Sequence, residues 1–227
     1  MSRVALVVVS HSVRLAEGVV ELAGQMAPGT TLLAAGGTDD GELGTSFDRV
    51  SAALGEALGE GRAVVVLGDL GSAVLTAETA LDFLDDADRD RVVVVDAPLV
   101  EGAVAAAVAA ETGGALRDVV AAARSATGVA DAHADEKPLR GGDAVERSVV
   151  LVNESGLHAR PAADLVKLAS TFRSDVTVDG VDAKSLLRIM GLGRGRGATL
   201  ALMASGPDAE AAVDALVAIV ESGFGED

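Results

Sequence analysis

Val4-Ala5-Leu6-Val7-Val8-Val9-Ser10-His11-Ser12 joins an unbroken apolar run to a polar triplet. Six apolar residues in succession, four of them valine, lack the alternation of a half-exposed strand. They predict a strand buried on both faces, the condition of a parallel sheet. Similar runs return at 31–35, 63–67 and 92–95. Between them apolar residues recur at helical spacing over 15–26, 47–58, 73–84 and 99–110, and a further helix is expected at 115–124. Strands alternating with helices predict an α/β fold, a doubly wound parallel sheet with right-handed crossovers, over residues 1–125.

Ligands of such sheets bind beyond the carboxyl ends of the strands, where the strand order reverses. His11 emerges at that rim. Its position alone favours a histidine that caps the next helix or fills the core edge; the loops beside it raise the case for a nucleophile. The third strand runs into Gly68-Asp69-Leu70-Gly71-Ser72, a glycine-punctuated turn that opens a helix. From there Asp69 can fix the imidazole tautomer and leave the other nitrogen free. Ser72 and the amides of the helix start can receive phosphate oxygens. The remaining loops, Gly36-Gly37-Thr38, Gly44-Thr45-Ser46 and Asp96-Ala97-Pro98, belong to the same rim. Turn and cap chemistry accounts for Thr38 and Thr45.

Periodicity fails over 126–146, where Asp131, His133, Asp135, Pro138, Gly141 and Gly142 read as a linker. Such a linker of about 20 residues spans roughly 25 Å root-mean-square. Residues 147–227 then read as strand 148–153, helix 159–170, strand 175–178, a short strand after the Asp179-Gly180 turn, helix 184–190, strand 199–204 and helix 207–221. This is a smaller α+β domain of βαββαβα order. Its opening segment Gly156-Leu157-His158-Ala159-Arg160-Pro161-Ala162 sets a histidine ahead of a helix whose first turn carries proline. A helix start offers unpaired amides and a positive dipole end, so it suits a phosphate. A surface histidine at a cap is the plainer alternative for His158.

Composition bounds the function. The 227 residues carry a net charge of −17, which disfavours nucleic acid and anionic membranes. Residues 1–125 contribute −11, and 126–146 and 147–227 contribute −3 each. Five of the eight basic residues in the last segment are Arg160, Lys184, Arg188, Arg194 and Arg196, which read either as a solvated face or as a docking patch for an acidic partner. There is no cysteine, which excludes disulfides, thiol catalysis and Cys-based zinc sites. Neither a membrane span nor a signal peptide is visible, and a cytoplasmic location is expected. No metal-binding or nucleotide motif stands out; the match Gly193–Ala198 to a dinucleotide fingerprint follows a helix rather than a strand.

GLHARPA (156–162), with the segment through Ala183-Lys184-Ser185-Leu186, resembles HPr, the histidine phosphocarrier family of the sugar phosphotransferase system. The resemblance covers about 147–227. It implies an open-faced sandwich, phosphorylation of His158 on Nδ1 by enzyme I using phosphoenolpyruvate, and Arg160 as phosphate partner. Ser185 matches the regulatory serine of some HPr proteins, but the following Leu186-Leu187-Arg188 departs from their pattern, and a helix N-cap is its simpler role. VVSHS (8–12), AAGGTDDG (34–41), GDLGSAVLTAETAL (68–81) and APLVEGAVAAA (97–107) resemble the mannose-type IIA domain of the DhaM family. Those proteins are phosphotransferase subunits of the bacterial dihydroxyacetone kinase. This second resemblance implies phosphorylation of His11 on Nε2, Asp69 as its orienting neighbour, and a homodimer through the N-terminal domain. The enzyme I-like segment of some members is not expected here.

Together the two resemblances imply a relay from enzyme I to His158, to His11, and then to ADP on the partner DhaL. The regenerated ATP would serve DhaK, and no cofactor is expected on this chain itself. A sugar-transporter IIA/HPr component and a regulator read through its phosphorylation state are the alternatives.

Overall fold

The computed structural model describes residues 3–127 and 144–225. The chain divides into two compact units, Met1–Thr127 and Gly128–Asp227. His133 and most of the segment read as a linker lie outside the described residues.

In the first unit β1 (Val4–Ser10), β2 (Leu32–Gly36), β3 (Ala63–Gly68) and β4 (Val92–Val95) form one sheet in the order β2-β1-β3-β4. All its pairings are parallel. Every residue of β1 is buried, as its unbroken apolar run requires. Ala5, Val7 and Val9 pack against α2 (Phe47–Leu58) and α3 (Gly71–Leu81) in one core. α1 (Val13–Met26), α5 (Leu99–Glu111) and α6 (Leu116–Arg124) pack together, with α1 and α5 also against β1. The sheet is therefore doubly wound. α5 is almost wholly buried, with alanine and valine around most of its circumference.

The second unit is an antiparallel sheet of β5 (Val145–Val150), β6 (Asp175–Val178), β7 (Val181–Asp182) and β8 (Thr199–Ser205), in the order β5-β8-β6-β7. α7 (Ala159–Ser170) and α9 (Ala209–Glu221) pack against each other, α8 (Leu186–Gly191) packs on α7, and α9 lies on the sheet. Leu200, Leu202 and Ala204 of β8 point inward in strict alternation, the pattern of a sheet covered on one face.

Several boundaries differ from the sequence reading. β5 starts at Val145, inside the segment read as linker, because an edge strand pairs through its backbone even where Glu146 and Arg147 are exposed. It stops at Val150, since Leu151 bonds instead to the 197–198 turn. The linker expectation also gives way at Ala126, which is buried in the first unit. α3 begins two residues early and ends at Leu81, where the amides of Phe83 and Leu84 close tighter turns onto Ala80 and Leu81. The four-residue α4 (Asp86–Arg89), capped by Asp85, carries no apolar periodicity and is not visible in the sequence.

Candidate functional site

β1 and β3 are the neighbours at which strand order reverses, and the residues leaving their carboxyl ends meet. His11 follows β1, and Asp69 follows β3. Asp69 Oδ1 lies 2.9 Å from His11 Nδ1. Asp69 Oδ2 accepts from the His11 amide at 2.9 Å and from the Ser10 hydroxyl at 2.8 Å. An ionised carboxylate only accepts, so Nδ1 carries the proton in this network. Nε2 is left with its lone pair, and the Ser72 hydroxyl donates to it at 2.7 Å. Burial pushes the Asp69 carboxyl up, but the bonds from His11 and Ser10 outweigh it and hold the group below its ordinary value. The His11 side chain is 26% exposed against 12% for Asp69, so the ring reaches solvent while its anchor is covered.

The backbone fixes this pairing. Gly36 ends β2 against the start of α1, and a Cβ there would stand 2.6 Å from the Ser12 carbonyl oxygen. Ser12 caps α1 by accepting from the Leu15 amide at 3.3 Å. Ser72 is the second residue of α3, and Thr76 donates to its carbonyl at 2.9 Å. Thr45 is not the cap of α2; Ser46 accepts from Arg49 in that role, and Thr45 reaches Thr76 at 2.9 Å. Thr38 has the expected turn role, accepting from the Glu42 amide. Asp96 makes no hydrogen bond to His11, Asp69 or Ser72 among the described residues. The bond from Ser10 to Asp69 is not predicted by the sequence reading, although a hydroxyl closing a fully buried apolar strand is itself a signal.

His158 is the N-cap of α7, in extended conformation, with its carbonyl accepting from the Ala162 amide at 2.8 Å. Its ring is exposed and makes no hydrogen bond among the described residues. Pro161 is the third helical residue, so Ala159 and Arg160 keep amides with no intrahelical partner. Arg160 is exposed and forms no ion pair among the described residues. The loop ahead of the ring is fixed: Gly156 has φ +64 and lies against the Arg194 carbonyl so closely that no Cβ fits. The Leu157 amide donates to that same carbonyl at 2.8 Å.

The other cations proposed for a docking face are mostly committed. Lys184 Nζ donates to the Phe172 and Ser174 carbonyls at 2.8 and 3.0 Å, a tie within the fold. Arg194 pairs with Asp179 at 2.7 Å and Arg196 with Glu154 at 3.5 Å. Ser185 stands at the N-cap of α8, but its hydroxyl makes no capping bond.

Residues 5–120 match the family described as the PTS system fructose IIA component, and residues 145–222 the PTS HPr component phosphorylation site. The chain is 39% identical to the phosphoryl donor subunit DhaM of dihydroxyacetone kinase 2 from Listeria innocua, covering 84% of that protein and 46% of this chain. The chain belongs to the DhaM family. A DhaM of Klebsiella michiganensis is 40% identical over 97% of this chain. The chain spans about half the length of that longer DhaM relative, 51%. A crystal structure titled unknown function protein EF1359 matches 56% of the chain with a TM-score of 0.52 at 36% identity. Among the described residues no helix is long and apolar enough to cross a membrane.

Proposed function

We propose that the chain is a two-station phosphoryl relay of a phosphoenolpyruvate-dependent dihydroxyacetone kinase. Enzyme I, charged by phosphoenolpyruvate, phosphorylates Nδ1 of His158. The lone pair of His11 Nε2 then attacks that phosphorus; the new N–P bond forms as the old one breaks, and its electron pair returns to the His158 ring. ADP held by DhaL takes the phosphoryl from His11 through a terminal phosphate oxygen, and the ATP so formed serves DhaK. The observation that carries this reading is the Asp69–His11–Ser72 chain. It fixes one nitrogen of the ring as donor and leaves the other, a nucleophile, at the surface.

Ionised Asp69 also stabilises the positive ring that forms while Nε2 is bonded to phosphorus. In this reading Ser72 and the amides at the start of α3 take the phosphoryl oxygens. Largely exposed Leu70 and Leu75 flank Ser72 and suit a protein acceptor rather than a small molecule. A homodimer through the N-terminal unit belongs to the same reading and is measured by sedimentation velocity.

The test uses radiolabelled phosphoenolpyruvate, enzyme I and the full chain. His158→Ala abolishes labelling of both histidines, whereas His11→Ala leaves His158 labelled; normal labelling of His11 in His158→Ala overturns the order. Dihydroxyacetone-dependent consumption of phosphoenolpyruvate with DhaK and DhaL identifies the acceptor. A second reading, transfer from His11 to a sugar-transporter IIB protein, is favoured by the fructose IIA description of the matched family. It gains if DhaL with ADP does not discharge His11.

A further inference from the structure

The first station assembles no cation. His11 is surrounded by the Asp69 carboxylate and the hydroxyls of Ser10 and Ser72, with Thr76 and Thr45 behind them. A phosphoryl group there adds close to two negative charges, by analogy with other phosphorylated side chains. Each transfer also brings a second anion against it, in a unit whose residues 1–125 already sum to −11. Phosphoryl transfer is governed by compensation of such charge. The second station has an uncommitted arginine two residues after its histidine; among the described residues the first has none in its hydrogen-bond network.

Beside it lies an open cavity of about 600 Å³ whose lining includes Ser12, Arg14, Glu17, Glu42 and Arg49. Its lining is linked to His11 through the backbone at two places. Ser12 follows His11 in the chain, and the amide of Gly44, next to lining residue Leu43, donates to the His11 carbonyl at 2.9 Å. Arg49 is held there by the carbonyls of Gly36 and Asp39. Arg14 is exposed and makes no hydrogen bond or ion pair among the described residues, although Glu17 and Glu42 share its wall. It is the second residue of α1, and a cation is unfavourable at the positive end of a helix. Arg160 occupies the same second position of α7, and neither helix has an acidic residue in its first turn.

We propose that Arg14 is the charge-compensating residue of the first station, its guanidinium receiving, in this cavity, phosphate oxygens of the group that meets His11. The proposal rests on the relay reading. The shared ligand chemistry is a phosphate, supplied by phospho-His158 during loading and by a nucleoside diphosphate during discharge. In each step one N–P bond breaks as one N–P or O–P bond forms. Arg14 donates N–H bonds to non-bridging oxygens and exchanges no proton. Glu17 and Glu42 repel an anion from the same wall, so without Arg14 the cavity opposes it.

The test compares the full chain with Arg14→Gln, Arg14→Lys and Glu17→Gln by rapid-quench labelling. One arm follows loading of His11 from enzyme I and His158; the other follows discharge to ADP on the partner subunit. Arg14→Gln leaves labelling of His158 unchanged and slows His11 loading, discharge or both by about ten- to a hundredfold. Loss in the first arm alone assigns phosphohistidine as the ligand, and loss in the second alone the diphosphate. Arg14→Lys recovers part of the lost rate, and Glu17→Gln matches or exceeds the parent. Parent rates in both arms for Arg14→Gln, or equal losses in Arg14→Gln and Arg14→Lys, overturn the proposal. Failure of the parent chain to label His11 overturns the relay itself and is read separately.

Discussion

At His11 the two ring nitrogens face groups of opposite hydrogen-bonding character, a carboxylate on Nδ1 and a hydroxyl on Nε2. Replacing the carboxylate by an amide removes that asymmetry, because an amide both donates and accepts. Asp69→Asn therefore releases the tautomer, and we expect phosphorylation of His11 to slow by about a hundredfold with labelling of His158 unchanged. Asp69 and Ser72 were legible in the sequence because they open a glycine-punctuated turn after a strand. Thr76 was not, since a threonine at helical spacing gives no sign that it ties the start of its helix to Thr45 in another loop. Asp208 is a second carboxylate whose role only the fold reveals. The Ser174 hydroxyl, the Arg173 amide and the Ser174 amide donate to it and hold it at about 2 against an ordinary 3.8. Its contribution to stability is complete above the ordinary value and is lost as the pH falls through about 2. Asp208→Asn accordingly lowers the melting temperature of the second unit at pH 7, and the difference narrows towards zero near pH 2; calorimetry across that range checks it.

Strands and helices set where these side chains meet, and Gly36 shows how narrow the tolerance is. Methyl addition at the end of β2 meets the Ser12 carbonyl and the Val13 Cα, both backbone atoms of the segment that carries His11. Gly36→Ala should cost about 1–3 kcal/mol in urea unfolding and also slow His11 labelling, because the start of α1 must move to admit the methyl. A purely structural cost, with labelling at parent rate, would contradict that coupling. The same scale explains which elements the sequence disclosed. β1 and β3 are almost wholly apolar, so burial on both faces is written in their composition. β5 is an edge strand whose pairing runs through the backbone, and its polar Glu146 and Arg147 hide it from any apolar pattern. Lys184 and Arg194 looked like docking cations because charge is visible in sequence, whereas the carbonyls and carboxylate that engage them come from distant segments.

On the scale of the whole chain, the two histidines of the proposed relay occupy two separately packed units, and their surroundings differ in a consistent way. His158 stands at a helix cap with an exposed, unanchored ring, a form suited to meeting more than one partner. His11 is anchored through Asp69 and mostly covered, suited to a single orientation. Covalent linkage makes the encounter of the two histidines intramolecular, with an effective concentration on the order of millimolar. Transfer within one chain is then independent of dilution, while transfer between chains rises linearly with concentration. Mixing separately assembled His11→Ala and His158→Ala, before any exchange of subunits, separates the two, since neither variant alone can label His11 from enzyme I. We expect the mixture to restore labelling of His11 at a rate proportional to protein concentration. At micromolar protein that rate should fall well below the parent's, which should not change on dilution. Equal rates for mixture and parent at every concentration would mean that joining the units gives no kinetic advantage, and that each histidine meets the other only as a separate protein would.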